Sequence, residues 1–94
     1  MIVLFAPEAE DDFRQLIEFL SERNPDAARK LGGRILTVID QLAAGDFEGP
    51  EQTLTSGERV RSWSVPPVRV YYQRQEDALW VLRVYHQARR SITR

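Results

Sequence analysis

Two runs of alternating apolar and polar residues near the C-terminus constrain the fold more than any other part of the chain. The runs are residues 68–74, VRVYYQR, and 79–86, LWVLRVYH, and the polar segment 75–78, QEDA, separates them. Alternation of this kind is typical of a half-buried strand, and two such runs around a short break indicate a β-hairpin. For the second run, alternation predicts Leu79, Val81, Arg83 and Tyr85 on one face and Trp80, Leu82, Val84 and His86 on the other.

A third strand is predicted directly before this hairpin. Residues 59–65, RVRSWSV, alternate in the same way, and Pro66-Pro67 then forces a turn because proline cannot donate to a strand ladder. The preceding residues 45–58, GDFEGPEQTLTSGE, are rich in Gly, Asp, Glu, Ser and Thr and predict a loop. A loop of this length in a small domain is often functional.

The first half of the chain predicts a buried strand at residues 1–6 followed by two helices. Pro7 with an acidic first turn suits the start of the first helix, and Asn24 before Pro25 is an N-cap signal for the second. Gly45 suits the residue that ends the second helix. Since only two or three residues connect the helices, an antiparallel helical hairpin is expected.

A glycine pair, Gly32-Gly33, interrupts the second predicted helix. Each glycine costs a helix about 1 kcal/mol relative to alanine. Close packing of the first helix at this point would be a reason to accept that cost.

These elements predict one α+β domain over residues 1–94, with the order β-α-α-β-β-β. It combines an N-terminal strand, an antiparallel helical hairpin and a C-terminal antiparallel meander, with the hairpin packed on one face of the sheet.

Composition excludes several classes of site. The chain has no cysteine and one histidine, which leaves neither a disulfide framework nor a thiolate zinc site, and no metal or other cofactor is expected. No apolar run is long enough to cross a bilayer, so no membrane partner is expected. Residues 1–12, MIVLFAPEAEDD, lack the basic start of a signal peptide. We therefore expect a cytoplasmic protein.

Charge is distributed unevenly along the chain. Residues 1–52 hold eleven acidic and five basic residues, a balance of −6, whereas residues 53–94 hold three and eight, a balance of +5. The predicted sheet thus carries a cluster of cations, namely Arg59, Arg61, Arg69, Arg83, Arg89 and Arg90, next to Tyr85 and His86. Such a basic surface suits an acidic target, but arginines that form salt bridges to the acidic helices would explain the same pattern.

The same cations could serve catalysis on a phosphodiester. Arginines would neutralise the charge that develops on phosphorus, and His86 could act as general acid or base because its reference pKa lies near 6.5. A histidine that only makes a structural hydrogen bond at the strand end is the alternative.

Several segments taken in order resemble the RelE/ParE superfamily of toxins from type II toxin–antitoxin systems. They are APEAEDDF, RNPDAARKL, RVRSWSV, PVRVYYQR and LRVYHQARR, and they cover nearly the whole chain. The resemblance implies the same β-α-α-β-β-β fold. It also implies a small cognate ParD-like antitoxin that neutralises the toxin in a hetero-oligomer, for which we predict an amphipathic, Asp- and Glu-rich segment over the helical hairpin groove and the arginine-lined sheet.

The resemblance leaves two activities open. ParE-like toxins poison DNA gyrase by protein–protein contact, and the long helical hairpin, the link at 24–28 and the ending HQAR resemble that branch. RelE-like toxins of the YoeB type cut mRNA on the ribosome without metal, and Glu51, Arg69 and His86 resemble their base, arginine and histidine. Gln87, however, stands where that type carries a functional tyrosine.

Three hypotheses follow in order of preference. The first is a ParE-like, non-enzymatic gyrase inhibitor. The second is a ribosome-dependent mRNA endonuclease with Glu51, Arg69 and His86 as catalytic residues, and the third is a non-toxic protein-interaction module. In the first, the predicted surface for the target or the antitoxin consists of Arg59, Arg61, Arg69, Arg83, Tyr85, His86, Arg89 and Arg90.

Overall fold

The computed structural model describes residues 1–88, in which two helices pack against a five-stranded sheet. In chain order the elements are β1 (Ile2–Phe5), α1 (Pro7–Arg23), α2 (Pro25–Ala44), β2 (Glu51–Thr53), β3 (Arg59–Val65), β4 (Val68–Gln75) and β5 (Ala78–His86). The predicted α+β fold, with its N-terminal strand, helical hairpin and C-terminal meander, is confirmed. The three-residue strand β2 lies within the segment that was predicted to be a loop.

The strands are ordered β1-β5-β4-β3-β2 across the sheet. From β2 to β5, each strand pairs antiparallel with the next one along the chain. β1 pairs parallel with β5, with Ile2 opposite Ala78 and Phe5 opposite Val81. The chain therefore leaves β1 through both helices before it enters the sheet again at the opposite edge. β1 and β2 form the two edges of the sheet.

Local signals set the helix ends as predicted. The Asn24 side chain accepts a hydrogen bond of 3.1 Å from the Ala27 N–H, which satisfies one of the free donors at the start of α2. Gly45 ends α2 in the left-handed conformation, with φ of 82°, and its N–H donates to the Leu42 carbonyl.

The glycine pair in α2 is only half explained by packing. A Cβ on Gly32 would lie 3.2 Å from Ile17 Cδ1 and 3.8 Å from the Phe13 ring, so α1 does approach closely there. A Cβ on Gly33 would have no neighbour within 4 Å. The expected close approach is confirmed for Gly32 and not for Gly33.

Apolar side chains bury on both faces of the sheet. On the helix side, the face against α1 and α2, Ile35, Ile39 and Leu42 pack in one cluster with sheet residues such as Tyr72. On the open side, the face away from the helices, a second cluster consists of Leu54, Val60, Tyr71, Leu82 and Tyr85, with Trp80 packed against it. The helix-side cluster holds the domain together, and the open-side cluster gives the open side of the sheet a rigid base.

A β-bulge in β5 overturns part of the predicted alternation. Tyr71 lies opposite Arg83 while Tyr72 lies opposite Val81, so Leu82 is an extra residue on β5. Val84 consequently joins Leu79 and Val81 on the helix side, and Tyr85 joins Trp80 and Leu82 on the open side. The prediction that Tyr85 shares a face with Leu79 and Val81 is wrong, because the bulge shifts the phase by one residue.

Neither helix in residues 1–88 combines the length and apolar character that crossing a membrane requires.

Candidate functional site

Arg83 is held by an acidic residue of α1. Its Nε and Nη2 donate to the two carboxylate oxygens of Asp12 at 2.8 and 2.9 Å, and Asp12 also accepts a 3.0 Å bond from the Val84 N–H. The two side chains are only 22% and 14% exposed. The hydrogen bond to Asp12 raises the pKa of the Arg83 guanidinium above its ordinary value. Arg83 is thus held in place by α1 near the C-terminal end of β5.

Arg69 and Tyr85 lie opposite each other on the open side of β4 and β5. Arg69 Nη1 donates to Ser62 Oγ at 2.9 Å, which leaves its other N–H groups for a partner. The Tyr85 ring packs edge-on against Tyr71, with centroids 5.8 Å apart, and the Arg83 guanidinium lies 4.4 Å from the Tyr85 ring centroid. Arg69 and Tyr85 thus place one cation beside one aromatic ring on the open side, where the open-side cluster supports them.

His86 is the last residue of β5 and is exposed. It lies opposite Val68, a residue of the helix-side core, and its Nδ1 accepts a 3.3 Å bond from the Ala88 N–H. His86 also borders a groove of about 480 Å³ between α1 and the sheet, which we call the α1 groove. The α1 groove is lined by Asp12, Gln15, Leu16, Phe19, Leu20, Pro67, Val68, Val84, Tyr85 and His86.

Arg59 and Arg61 lie at the far end of the sheet, near β2. Arg61 Nη1 donates to the Gly49 carbonyl at 2.8 Å, and its guanidinium is 3.8 Å from the carboxylates of both Glu48 and Glu51. Glu51 lies opposite Arg61 in the β2–β3 ladder. Among residues 1–88, Arg59 makes no ion pair. Arg61 therefore helps to anchor the loop before β2, whereas Arg59 is available to an anionic group.

The anchor of that loop is a network around Tyr72. The Tyr72 hydroxyl donates to Glu48 Oε1 and accepts from the Gly49 N–H, each at 2.8 Å. Arg74 adds two bonds to Glu48, at 2.9 and 3.1 Å, and one to the Leu42 carbonyl at 2.6 Å. Gly49 is required for this approach, since a Cβ there would lie 1.9 Å from the Ser62 carbonyl oxygen.

The network shifts the pKa values of its members in opposite directions. Hydrogen bonds from Arg74 lower the pKa of Glu48, and the Tyr72 hydroxyl and the charge on Arg61 act in the same direction against the effect of burial. Burial raises the pKa of Tyr72 to about 12, and its hydrogen bond to Glu48 adds to the rise. At neutral pH the arrangement is a carboxylate held by a neutral phenol and two guanidinium groups.

The three predicted catalytic residues do not come together. Glu51 and His86 lie on β2 and β5, about 14 Å apart across the intervening strands alone. Their ladder partners, Arg61 and Val68, belong to the helix side of the sheet, whereas Arg69 belongs to the open side. The three side chains therefore do not project from one face of the sheet in this arrangement.

Two predicted site residues, Arg89 and Arg90, lie outside the described residues. Within residues 1–88, no group of three or more His, Cys, Asp or Glu side chains is arranged to hold a metal ion.

Sequence reasoning missed the residues that support this site. Asp12, Gln15 and Phe19 of α1 border the groove next to His86, and Glu48 carries the loop anchor. The helical period does put Asp12 and Phe19 seven residues apart, on one face of α1. Nothing in the sequence pattern pairs that face with the end of β5.

Comparison with known proteins identifies the family. The model of the family described as "ParE toxin of type II toxin-antitoxin system, parDE" matches residues 3–91. Toxin RelE1 of Caulobacter vibrioides is 31% identical over 88 residues, which cover 89% of this chain and 90% of that protein. A solved chain described as "Chromosomal ParDE TA system from P. aeruginosa" has the same fold, with a TM-score of 0.73 over 92% of this chain and 95% of that chain, at 16% identity. The chain therefore belongs to the ParE toxin family, within the RelE/ParE superfamily of type II toxin–antitoxin systems.

Proposed function

We propose that this toxin arrests growth by inhibiting DNA gyrase through protein–protein contact, without catalysing a reaction itself. The observation that carries the proposal is the separation of Glu51, Arg69 and His86. A general base, a general acid and a charge-neutralising arginine must each come within about 3 Å of atoms of one phosphodiester, whereas Glu51 and His86 are separated by two intervening strands and Arg69 lies on the other side of the sheet. Gyrase acts in the cytoplasm, so the proposal also makes the chain a cytoplasmic protein.

The proposed contact surface includes Arg69, Tyr85 and His86 at the end of the sheet. Arg89 and Arg90, which follow in the sequence outside the described residues, belong to the same proposal. An arginine with free donors beside a rigid aromatic ring is the kind of pair that anchors protein interfaces. Arg83 acts indirectly in this proposal, because its guanidinium is committed to Asp12 and supports the Tyr85 ring.

A cognate ParD-like antitoxin would neutralise the toxin by covering basic and apolar surface together. The solved relative comes from a system described as ParDE, which supports such a partner. Carboxylates of the antitoxin would pair with Arg59 and Arg69, because Arg61 and Arg83 already have acidic neighbours. Its apolar residues would occupy the groove of about 340 Å³ on the helical hairpin, where Phe13, Ile17 and Leu36 lie around Gly33.

The mRNA endonuclease is the second candidate, and two observations favour testing it. The curated relative is named Toxin RelE1, and Arg69 lies directly opposite Tyr85 next to the strand end that carries His86. In this alternative, Arg69 and His86 would act on RNA, while Glu51 would have to approach through movement of β2.

The experiment compares both targets after induction of the same toxin variants. We expect the wild-type chain to block supercoiling of relaxed plasmid by purified gyrase while cellular transcripts stay intact. Arg69→Ala should weaken this inhibition at least tenfold. Arg14→Ala is the matched control, because Arg14 is an exposed arginine on α1 that pairs with Asp11 and lines neither the α1 groove nor the hairpin groove.

Two results would contradict the gyrase proposal. One is undisturbed supercoiling at toxin concentrations that stop growth. The other is cleavage of translated mRNA that His86→Ala abolishes and Arg14→Ala does not. Binding of the antitoxin is measured separately, by calorimetry, so that a wrong target can be distinguished from a misfolded variant.

A further inference from the structure

The two edges of the sheet differ in a way that points to a second binding surface. β2 has three exposed residues, Glu51, Gln52 and Thr53, and its polar side chains protect that edge from pairing with another strand. β1 has no charged residue, proline or bulge within it, and Ile2 and Leu4 are 62% and 37% exposed. An unprotected apolar edge strand is a template for a further strand.

The hydrogen-bond phase of β1 shows which of its backbone groups are free. The N–H groups of Ile2 and Ala6 donate to the Asp77 and Val81 carbonyls of β5, at 3.1 and 2.9 Å. In a parallel ladder alternate residues face the same neighbour, so the backbone groups of Val3 and Phe5 point to the outer edge. Among residues 1–88, no hydrogen bond engages the N–H of either residue outside the ladders. β1 therefore offers two donors and two acceptors.

The side chains beside this edge form an uncharged apolar strip on the open side. Leu4 lies opposite Trp80 of β5, a partly buried member of the open-side cluster, and Ile2 precedes Leu4 on the same face. Val3 and Phe5 point the other way and pack against the helix-side core. The apolar strip thus extends the open-side cluster as far as β1, where the backbone groups of Val3 and Phe5 face outwards.

We propose that β1 pairs with β1 of a second copy of this chain, antiparallel, about a twofold axis through Leu4. In that register Val3 of each copy lies opposite Phe5 of the other, and the two pairs exchange four backbone hydrogen bonds. The two Leu4 side chains meet on the open side at a non-hydrogen-bonded position, where opposing Cα atoms are about 4.5 Å apart. Pro7 stops the pairing after Ala6, because it has no N–H to donate.

A second copy fits this edge because no charged side chain lies on it. A twofold contact brings each residue near its own copy, so charged residues at the centre would repel one another. Residues 1–7 have no charged side chain, and the α-amino group of Met1 lies three residues from the axis at Leu4. The acidic antitoxin segment expected above would find no cationic side chain free there, since Arg74, which reaches Met1 Sδ at 3.2 Å, is bonded to Glu48. With only four bridging hydrogen bonds, the dimer should be weak, with a dissociation constant in the micromolar range or above.

Cysteine cross-linking tests the register, because the chain has no cysteine of its own. In the proposed dimer, Leu4→Cys brings two thiols together at a Cα separation that a disulfide can span. Ile2→Cys places its thiols about 13 Å apart along the strands, too far for a disulfide. Leu36→Cys, at an exposed apolar residue on α2, is the control for random collisions. Mild oxidation of the purified toxin at about 100 μM should link most of the Leu4→Cys variant and little of the other two.

Sedimentation of the toxin without antitoxin provides the second measurement. The wild-type chain should shift from monomer to dimer with rising concentration, and Leu4→Lys should weaken that shift at least tenfold while Leu36→Lys leaves it unchanged. A wild-type chain that stays monomeric at 200 μM, or equal cross-linking of Leu4→Cys and Ile2→Cys, would overturn the proposal. A monomer whose Leu4→Lys variant binds antitoxin less tightly would assign the edge to the antitoxin and overturn it as well. Circular dichroism of each variant identifies loss of folding.

Discussion

Asp12 on α1 binds Arg83 on β5 with both carboxylate oxygens, at 2.8 and 2.9 Å, and also accepts a bond from the N–H of the next residue, Val84. These bonds fall at the β-bulge, beyond the point where β1 stops pairing with β5. One helix side chain thus replaces a missing strand neighbour, satisfies a backbone donor and neutralises a cation. Tyr85 follows Val84 on β5, so the bonds from Asp12 also fix the orientation of Tyr85.

The first prediction concerns the loss of that carboxylate. Asp12→Asn should lower the free energy of unfolding by about 2 kcal/mol, because it leaves a largely buried guanidinium without its counter-charge. Urea denaturation measures the change. The control is Asp11→Asn, the neighbouring residue, whose ion pair with Arg14 is more than half exposed and should contribute little. Equal effects of the two substitutions would show that the Asp12–Arg83 pair has no special role.

The second prediction follows from the lowered pKa of Glu48. A carboxylate whose pKa is lower in the folded state than in the unfolded state stabilises the fold above its unfolded value, near 4.5, and that contribution is lost as the pH falls through the folded value. Wild-type stability should therefore decrease below pH 4.5. Part of this decrease should be absent in Glu48→Gln, so the two proteins should converge in stability as the pH falls. Thermal unfolding between pH 7 and pH 3 measures the difference, and a constant difference over that range would contradict the role of Glu48.

The third prediction addresses the Tyr72 hydroxyl, which joins Glu48 to the Gly49 N–H. Tyr72→Phe removes both hydrogen bonds without changing the ring, and it leaves a buried N–H without a partner. It should destabilise the fold by about 1–3 kcal/mol. Tyr71→Phe is the matched control, because Tyr71 is the neighbouring buried tyrosine of β4 but belongs to the open-side cluster, away from Glu48 and Gly49. A comparable loss in both variants would mean that the two hydrogen bonds of the Tyr72 hydroxyl have no special role.

Local signals made the helices and the meander predictable, since the Asn24 cap, the Gly45 end and the alternation in β3 and β4 each depend on residues close in sequence. The bulge at Leu82 has no glycine signal, and its only trace is the charged Arg83, which strict alternation would place on the same face as Leu79 and Val81. β2 was missed for a related reason. Its pairing with β3 depends on the Tyr72 network and on Gly49, where any side chain would collide with the Ser62 carbonyl.

The candidate site was predicted less well than the fold. Alternation correctly assigns the cations to strands, but it does not say which of them find acidic partners. Arg83 and Asp12 are 71 residues apart, and only the packing of α1 on β5 brings them together. The separation of Glu51 from His86 likewise follows from the strand order, which the local pattern does not determine.

The fourth prediction concerns the turn between β4 and β5. Glu76 has a φ of 55°, in the left-handed region that costs an L-residue about 1 kcal/mol and glycine almost nothing. Glu76→Gly should therefore stabilise the chain by roughly 0.5 kcal/mol, after the greater entropy of the unfolded glycine is subtracted. Asp77→Gly, at the next residue of the same turn, has no positive φ to relieve and should destabilise the fold. Chemical denaturation gives both values, and the same sign for both would contradict the strain at Glu76.

The fifth prediction separates the two glycines of α2. Gly33→Ala should raise the free energy of unfolding by about 1 kcal/mol, because the new methyl group meets no atom within 4 Å and alanine favours the helix. Gly32→Ala gains the same helix propensity, but its methyl group would lie 3.2 Å from Ile17 Cδ1, so α1 must shift or Ile17 must rotate. Gly32→Ala should consequently be less stable than Gly33→Ala by at least 1 kcal/mol. The double variant Gly32→Ala/Ile17→Val, which removes the opposing methyl group, should recover part of that loss. If it recovers none, the contact between Gly32 and Ile17 is not what keeps glycine at residue 32.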